Sequence, residues 1–256
     1  MKVILFDLKA WVHQKLSPEY GHAISKLSSS SGFKYIILWQ DLWVLKQALI
    51  KARILSLLGF FQRIHARHCL VQRIEKPIMD SFLHQHHLQE STQAKVKYGL
   101  FLKKQYIQKY LGTTTEPTHD ALVAVASFSG ARKMKWGNRQ NYLSYELLRF
   151  ASLQGYVVVG GMDKLIQAFA KEYQPDDLMS YADKDWSDGR SYEVLGFDLV
   201  ANLTLGAVYW INPLTFERHF ENRLLQQLTS EQLISRGWVR IWNSGSLKYI
   251  KTLKKD

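Results

Sequence analysis

The stretch Leu178–Phe197, LMSYADKDWSDGRSYEVLGF, constrains this chain more than any other. Its apolar opening (Leu178, Met179, Tyr181, Ala182) gives way to turn-forming polar residues from Asp183 to Gly189. A short helical piece follows, Gly196 stops it, and Phe197 leads into another apolar segment. The predicted order is strand, loop, helix, glycine stop, strand, which places the chain among the α/β folds.

At 256 residues and 46% hydrophobic, the chain is long enough to bury a substantial core, in one domain or one and a fraction. The single cysteine, Cys69, excludes an intramolecular disulfide and suits a reducing, cytoplasmic setting. No apolar run approaches the length of a membrane span, and Asp7 arrives too early for a signal peptide. Against 22 Asp and Glu stand 34 Lys and Arg, a formal charge of +12 that favours polyanionic partners, DNA or RNA, over a membrane.

Along the chain, 3–7 has strand character, a helix is expected over about 18–27, and Phe33–Trp39 (FKYIILW) is a buried-type strand. Helical spacing runs from Trp43 to Leu58, with Gly59 as its stop. Between Asp41 and Glu75 there is no acid, only Lys46, Lys51, Arg53, Arg63, Arg67 and Arg73 with His65 and His68. Cations interleaved with Phe60 and Phe61 suit a groove that tracks phosphates. A solvated helix face would look the same. Further on come a strand at 68–74, a helix at 76–87, strands at 97–102 and 121–128, an exposed excursion at 106–120, and a strand at 142–150. Loop and helix follow at 157–171, and 238–250 has the pattern of a closing hairpin.

Two families resemble this text. Tyr192-Glu193-Val194-Leu195-Gly196-Phe197 is similar to the Y-x-x-L-G-F signature of GNAT-type acyltransferases, in which that Tyr faces the thioester of acyl-coenzyme A. The longer S-Y-A-D-x-x-W-S-x-G-x-x-Y-x-x-L-G-F resembles the C-terminal domain of phage and mobile-element homing-type endonucleases, with Tyr181, Asp183, Trp186 and Ser187 as its core. That resemblance extends to A-R-x-C at 66–69, to F-L-x-x-x-H-L-Q with His87 and Gln89, and to E-L-L-R-F at 146–150. Asp7-Leu8-Lys9, followed by Trp11 and His13, looks like the (D/E)-x-K end of a Vsr-like or PD-(D/E)XK nuclease core. The second carboxylate such a nuclease needs to hold its metal has no counterpart, so an inactive remnant is implied.

The chemistry-bearing candidates are few. Val159, Gly160, Gly161, Asp163 and Lys164 open a helix whose first-turn N–H groups could meet the diphosphate of coenzyme A. The usual (Q/R)-x-x-G-x-(G/A) is not reproduced, and Asp163 opposes a phosphate, so a turn that packs helix on sheet is the competing reading. Tyr192 is the candidate acid for acyl transfer, and Asp7 with Lys9 for a nuclease. Arg132, Lys133, Lys135 and Arg139 around Trp136 form a basic loop suited to nucleic acid. Of His84, His86 and His87, positions 84 and 87 share a helix face but no acid or Cys stands at an obvious third position, so no metal is expected. Asp183, Asp185 and Asp188 fit a capped turn better than a calcium loop.

These observations predict an α/β fold: a GNAT-like mixed sheet with flanking helices over 63–256, preceded over 1–62 by a strand–helix–strand–helix remnant. The function they imply is nucleic-acid binding related to homing-type endonucleases. The alternatives are an acyl-CoA-dependent N-acyltransferase, with acetyl-CoA or another acyl-CoA as cofactor, and a non-catalytic part of a larger nucleoprotein complex.

Overall fold

The computed structural model describes residues 1–13, 33–113, 116–136, 139–204 and 206–254. In chain order its strands are β1 (Lys2–Phe6), β2 (Tyr35–Trp39), β3 (Gln62–His65), β4 (Cys69–Arg73), β5 (Val96–Leu102), β6 (Ala121–Phe128), β7 (Arg132–Trp136) and β8 (Arg139–Ser152). They continue with β9 (Tyr156–Val159), β10 (Asp177–Asp183), β11 (Asp198–Leu203), β12 (Val208–Ile211), β13 (Arg218–Phe220), β14 (Val239–Trp242) and β15 (Ser246–Thr252). The chain divides into two units, Met1–Gln47 with Tyr181–Tyr249, and Ala48–Ser180 with Ile250–Asp256.

In the second unit the strands lie in the order β10-β8-β6-β5-β4, with β7 paired to the first part of β8. The pairs β4–β5, β5–β6 and β6–β8 are antiparallel, whereas β10 runs parallel to β8. Strand β6 sits between two neighbours and buries Val123, Ala124, Val125 and Ala126 on both faces. That is why ALVAVASF is a continuous apolar run rather than an alternating one. The Lys76–His86 helix, with Pro77 in its first turn, covers one face through Met79, Phe82 and Leu83 against Val125 and Ala151. The Gly161–Tyr173 helix covers the other, and Phe169 stacks on Phe128 at 4.1 Å. A mixed sheet with flanking helices is therefore what the chain forms, as its sequence predicts.

The first unit holds the parallel pair β1–β2 and the antiparallel sheet β13-β12-β14. Leu8, Trp11, Ile37 and Trp39 share one core with Ile211, Val239 and Ile241. Asp41 is buried there and takes a bidentate bond from Arg218, Nε at 2.7 Å and an NH2 nitrogen at 2.8 Å.

Four local expectations change. The closing hairpin expected at 238–250 does not form, because β14 pairs with β12 and β15 belongs to another sheet. The helix expected from Trp43 to Leu58 is two helices, Gln40–Leu45 and Gln47–Leu57, broken where Lys46 leaves helical geometry (φ −129°, ψ 33°). The break coincides with the passage from one unit to the other. The excursion at 106–120 contains a helix, Ile107–Leu111, anchored by buried Ile107. The stretch before the 161–173 helix is a strand, β9, paired in parallel with β3. The helix expected over 18–27 lies outside the described residues.

Candidate functional site

Strands β8 and β10 are held together at one end only. Three residue pairs make their parallel ladder, Asp177 opposite Ser144, Leu178 opposite Tyr145 and Met179 opposite Glu146. Below the ladder, the Asp176 carboxylate accepts from Leu143 N–H at 2.7 Å, and the Tyr142 hydroxyl donates to Asp177 at 2.9 Å. Both aspartates are buried, so they fix the start of β10 firmly. At the other end the Ser180 hydroxyl donates to the Leu147 carbonyl at 3.0 Å. Beyond it β8 runs on to Ser152 with no further β10 partner.

The cause of this parting is a bulge. On β6, Ser127 faces Arg149 but the next residue, Phe128, faces Leu147, so Leu148 is extra on β8. An extra residue bends and twists its strand. Glu146, just before it, exchanges its backbone groups with Ser129: its N–H donates to the Ser129 hydroxyl and its carbonyl accepts from Ser129 N–H, both at 2.9 Å. The bend therefore starts from a fixed point.

The Gly161–Tyr173 helix follows β8 and β9 in the chain, and no side chain caps its N-terminus. Gly160 is exposed and left-handed at φ 73°, where a side chain would be strained. Gly161 is buried for a different reason. A Cβ there would lie 2.9 Å from the Val158 Cβ and 3.3 Å from a Leu100 methyl, so the helix start rests directly on the sheet. The candidate cofactor residues thus separate. Val159 and Gly160 face solvent, Asp163 accepts from Gln167 Nε2 at 2.5 Å, and Lys164 donates to the carbonyls of Ala66 (2.9 Å) and Cys69 (2.7 Å). Lys164 ties the helix to the start of β4 and is committed there. The same burial pushes the Cys69 thiol up to about 11, which leaves it a packing residue.

In the first unit, Tyr192 lies on the Arg190–Val194 helix with its ring edge-on to Phe197 at 5.5 Å and stacked on Tyr249 at 5.2 Å. Burial first, then its bond to Glu193 at 3.1 Å, pushes the Tyr249 hydroxyl up to about 12. Gly189 is required here, because any Cβ would fall within 1.9 Å of the Tyr249 hydroxyl oxygen. The Asp183–Gly189 segment is the capped turn its sequence suggests: Trp186 N–H and Ser187 N–H donate to the Asp183 carbonyl, Asp185 N–H to its carboxylate, and Gly189 N–H to the Ser187 hydroxyl. Trp186 is buried beneath it, and Tyr181 is exposed on the strand before it.

Of the nuclease-like residues, Asp7 caps the Leu8–His13 helix, accepting from Ala10 N–H at 2.9 Å, while Lys9 is exposed. Among the described residues no group of three or more His, Cys, Asp or Glu could hold a metal. The motif is spent on local structure. His87 closes its own loop, its Nδ1 2.6 Å from the Gln89 carbonyl. Of the basic candidates, Lys46 terminates the Gln40–Leu45 helix, Lys51 and Arg53 lie on the Gln47–Leu57 helix, Arg63 on β3 and Arg67 on the 3-10 turn Ala66–His68. Arg132, Lys133 and Lys135 are exposed on β7, and Arg139 begins β8. The sequence reading missed Ser180, the Leu148 bulge and the cations of 91–111; only the last carried a signal, an acid-free run of lysines.

The described residues thus form a mixed sheet with flanking helices whose central parallel pair is splayed by a bulge. No protein-family model and no curated protein matches this chain. Solved structures that resemble it include an acetyltransferase from Bacillus subtilis in complex with CoA, at 13% identity over 73% of this chain and 99% of that one, with a TM-score of 0.34. A GNAT family acetyltransferase from Elizabethkingia anophelis with acetyl-CoA bound gives 9% identity, 73% and 99% coverage and a TM-score of 0.31. A KacTA–DNA complex gives 16% identity, 62% and 96% coverage and a TM-score of 0.32. Among the described residues no helix is long and apolar enough to cross a membrane.

Proposed function

We propose that this GNAT-like chain is an acyl-CoA-dependent N-acyltransferase whose cofactor lies along β8 beyond Glu146. The observation that supports it is the parting of β8 from β10 after three residue pairs. An edge of strand left without a neighbour can take an extended ligand by backbone pairing, as it would take a peptide. The pantetheine arm of coenzyme A is such a ligand, since it carries two amides in a flexible chain. Its diphosphate would meet the uncapped first turn at Gly160–Gly161, where N–H groups and the helix dipole favour an anion. In the transfer, an amine nitrogen attacks the thioester carbonyl, the C–N bond forms as the C–S bond breaks, and the proton that the amine gives up is taken by the leaving thiolate.

Asp163 works against the cofactor, and Lys164 cannot offset it because its ammonium is held by two carbonyls. A like charge near the diphosphate costs about 1 kcal/mol. Calorimetry with acetyl-CoA should therefore find weak, saturable binding that Asp163→Asn tightens by about fivefold. Failure of both the native protein and Asp163→Asn to bind acetyl-CoA would overturn the proposal.

A further inference from the structure

The positive charge of this protein is not spread evenly. The second unit carries 21 Lys and Arg against 11 Asp and Glu, while the first carries 13 against 11. The acid-free stretches of the second unit include 48–74, Ser91–Thr115 with Lys95, Lys97, Lys103, Lys104 and Lys109, and Ala121–Tyr145 with Arg132, Lys133, Lys135 and Arg139. The fold joins the first two. Cys69 on β4 pairs with Leu102 on β5, and Lys103 N–H donates to the His68 carbonyl at 3.1 Å.

At that junction His68 stacks on Tyr106, ring centroids 4.0 Å apart and planes 14° apart, and its Nδ1 lies 2.9 Å from the Tyr110 hydroxyl. The Lys109 ammonium sits 5.6 Å over the Tyr110 ring. Partial burial, followed by Arg67, Lys109, His65 and Lys103, pushes the His68 pKa below its ordinary value. Arg67 adjoins His68 in the Ala66–His68 turn, and the His65 ring lies 6.3 Å from that of His68. Arg67 and Lys109 are exposed, Lys103 is half-buried, and among the described residues none of the three has a carboxylate partner. Asp120 is an acid at the rim, where it accepts from Lys104 N–H at 2.8 Å. Cations left unneutralised around a ring pair fixed by stacking serve no evident packing purpose.

We propose that Arg67, Lys103 and Lys109, set around the Tyr106–His68 ring pair, form a binding surface for single-stranded nucleic acid. The cations neutralise successive phosphates, and the tyrosine ring takes an unpaired base. A membrane would draw on the charge but leave the ring unused, which is why a nucleic acid fits better. This surface does not depend on acyl transfer.

The test is fluorescence anisotropy with a labelled single-stranded oligonucleotide over a salt series. Arg67→Gln/Lys103→Gln/Lys109→Gln should weaken binding at least about tenfold and reduce the log–log salt slope by about 2. Tyr106→Ala should weaken it about tenfold while leaving the slope unchanged. Melting curves and the Lys103→Arg variant, expected to bind normally, separate contact from misfolding. Three results would overturn the proposal. One is an equal loss from Arg132→Gln/Lys133→Gln/Lys135→Gln, which would mean bulk charge. The others are stronger binding to a duplex, and a triple variant that loses phosphatidylserine vesicles but not the oligonucleotide.

Discussion

Gly160 and Gly161 stand side by side yet should answer to substitution in opposite ways. A methyl at position 161 would lie 2.9 and 3.0 Å from two Val158 carbons and 3.3 Å from Leu100, in a buried place. Overpacking of that kind costs about 1–3 kcal/mol, and the less flexible unfolded chain of an alanine variant returns under about 1 kcal/mol. Gly161→Ala should therefore lose about 1–2 kcal/mol, lowering the melting temperature by about 3–8 °C for a chain of this size. At position 160 the nearest heavy atom to an added Cβ is the Ala66 Cβ at 3.8 Å, so the cost is only the left-handed backbone, about 1 kcal/mol. The new methyl would, however, stand over the first-turn N–H groups. Thermal unfolding with and without acetyl-CoA separates the two effects: Gly161→Ala should shift the baseline transition, and Gly160→Ala should shrink the ligand-induced rise. Where the melt shows more than one transition, the transition that moves is the one to fit. Undiminished stability in Gly161→Ala would refute the packing argument. A ligand-induced rise of native size in Gly160→Ala would refute the phosphate position.

Other substitutions probe the fold around the site. Arg218→Met strands the buried Asp41 carboxylate and should cost about 3–5 kcal/mol, whereas adding Asp41→Leu should recover much of it; urea unfolding of the double-mutant cycle measures the difference. Burial first, then the neighbouring Asp183, raises the Asp185 carboxyl to about 7, with Ser244 and Arg218 opposing. The folded protein then holds a proton that the unfolded chain releases near pH 4, so stability should fall as pH rises from about 4 to 7. Asp185→Asn, which can still accept from Ser244 N–H, should flatten that slope, and an unchanged pH profile would contradict it. Lys164→Met leaves two carbonyls without their donor and should destabilise the protein by about 1–3 kcal/mol in urea unfolding.

Much of the sheet was legible because its strands carry strong local signals. The runs at 97–102 and 121–128 are apolar but for Lys97 and Ser127, and the amphipathic 161–173 helix is bounded by glycines on one side. Short strands were not: β3, β9, β12 and β13 have three or four residues each, too few for a periodic pattern. The role of Gly161 was half legible, since a glycine pair before a helix fits both a phosphate and a close approach to the sheet. What a sequence withholds altogether is which distant segments meet. Asp7-Leu8-Lys9 has the text of a metal site, but only the fold shows its carboxylate capping the next helix. Likewise Lys103 and Arg67 become one surface only through the pairing of β4 with β5.

The division of the chain also bears on how it comes to be folded during synthesis. Residues 48–180 leave the ribosome as an uninterrupted block that already contains β3 to β9 and most of β10, largely paired between near neighbours. The first unit has no such freedom. Trp11 reaches its partner Arg240 across 229 positions, and Asp41 reaches Arg218 across 177. Until those residues emerge, β1, β2 and the Trp11 and Trp39 side chains have no core to enter, and their apolar surface is exposed to other chains. Premature termination between β10 and β14 would therefore release the 48–180 block attached to an unpartnered hydrophobic arm.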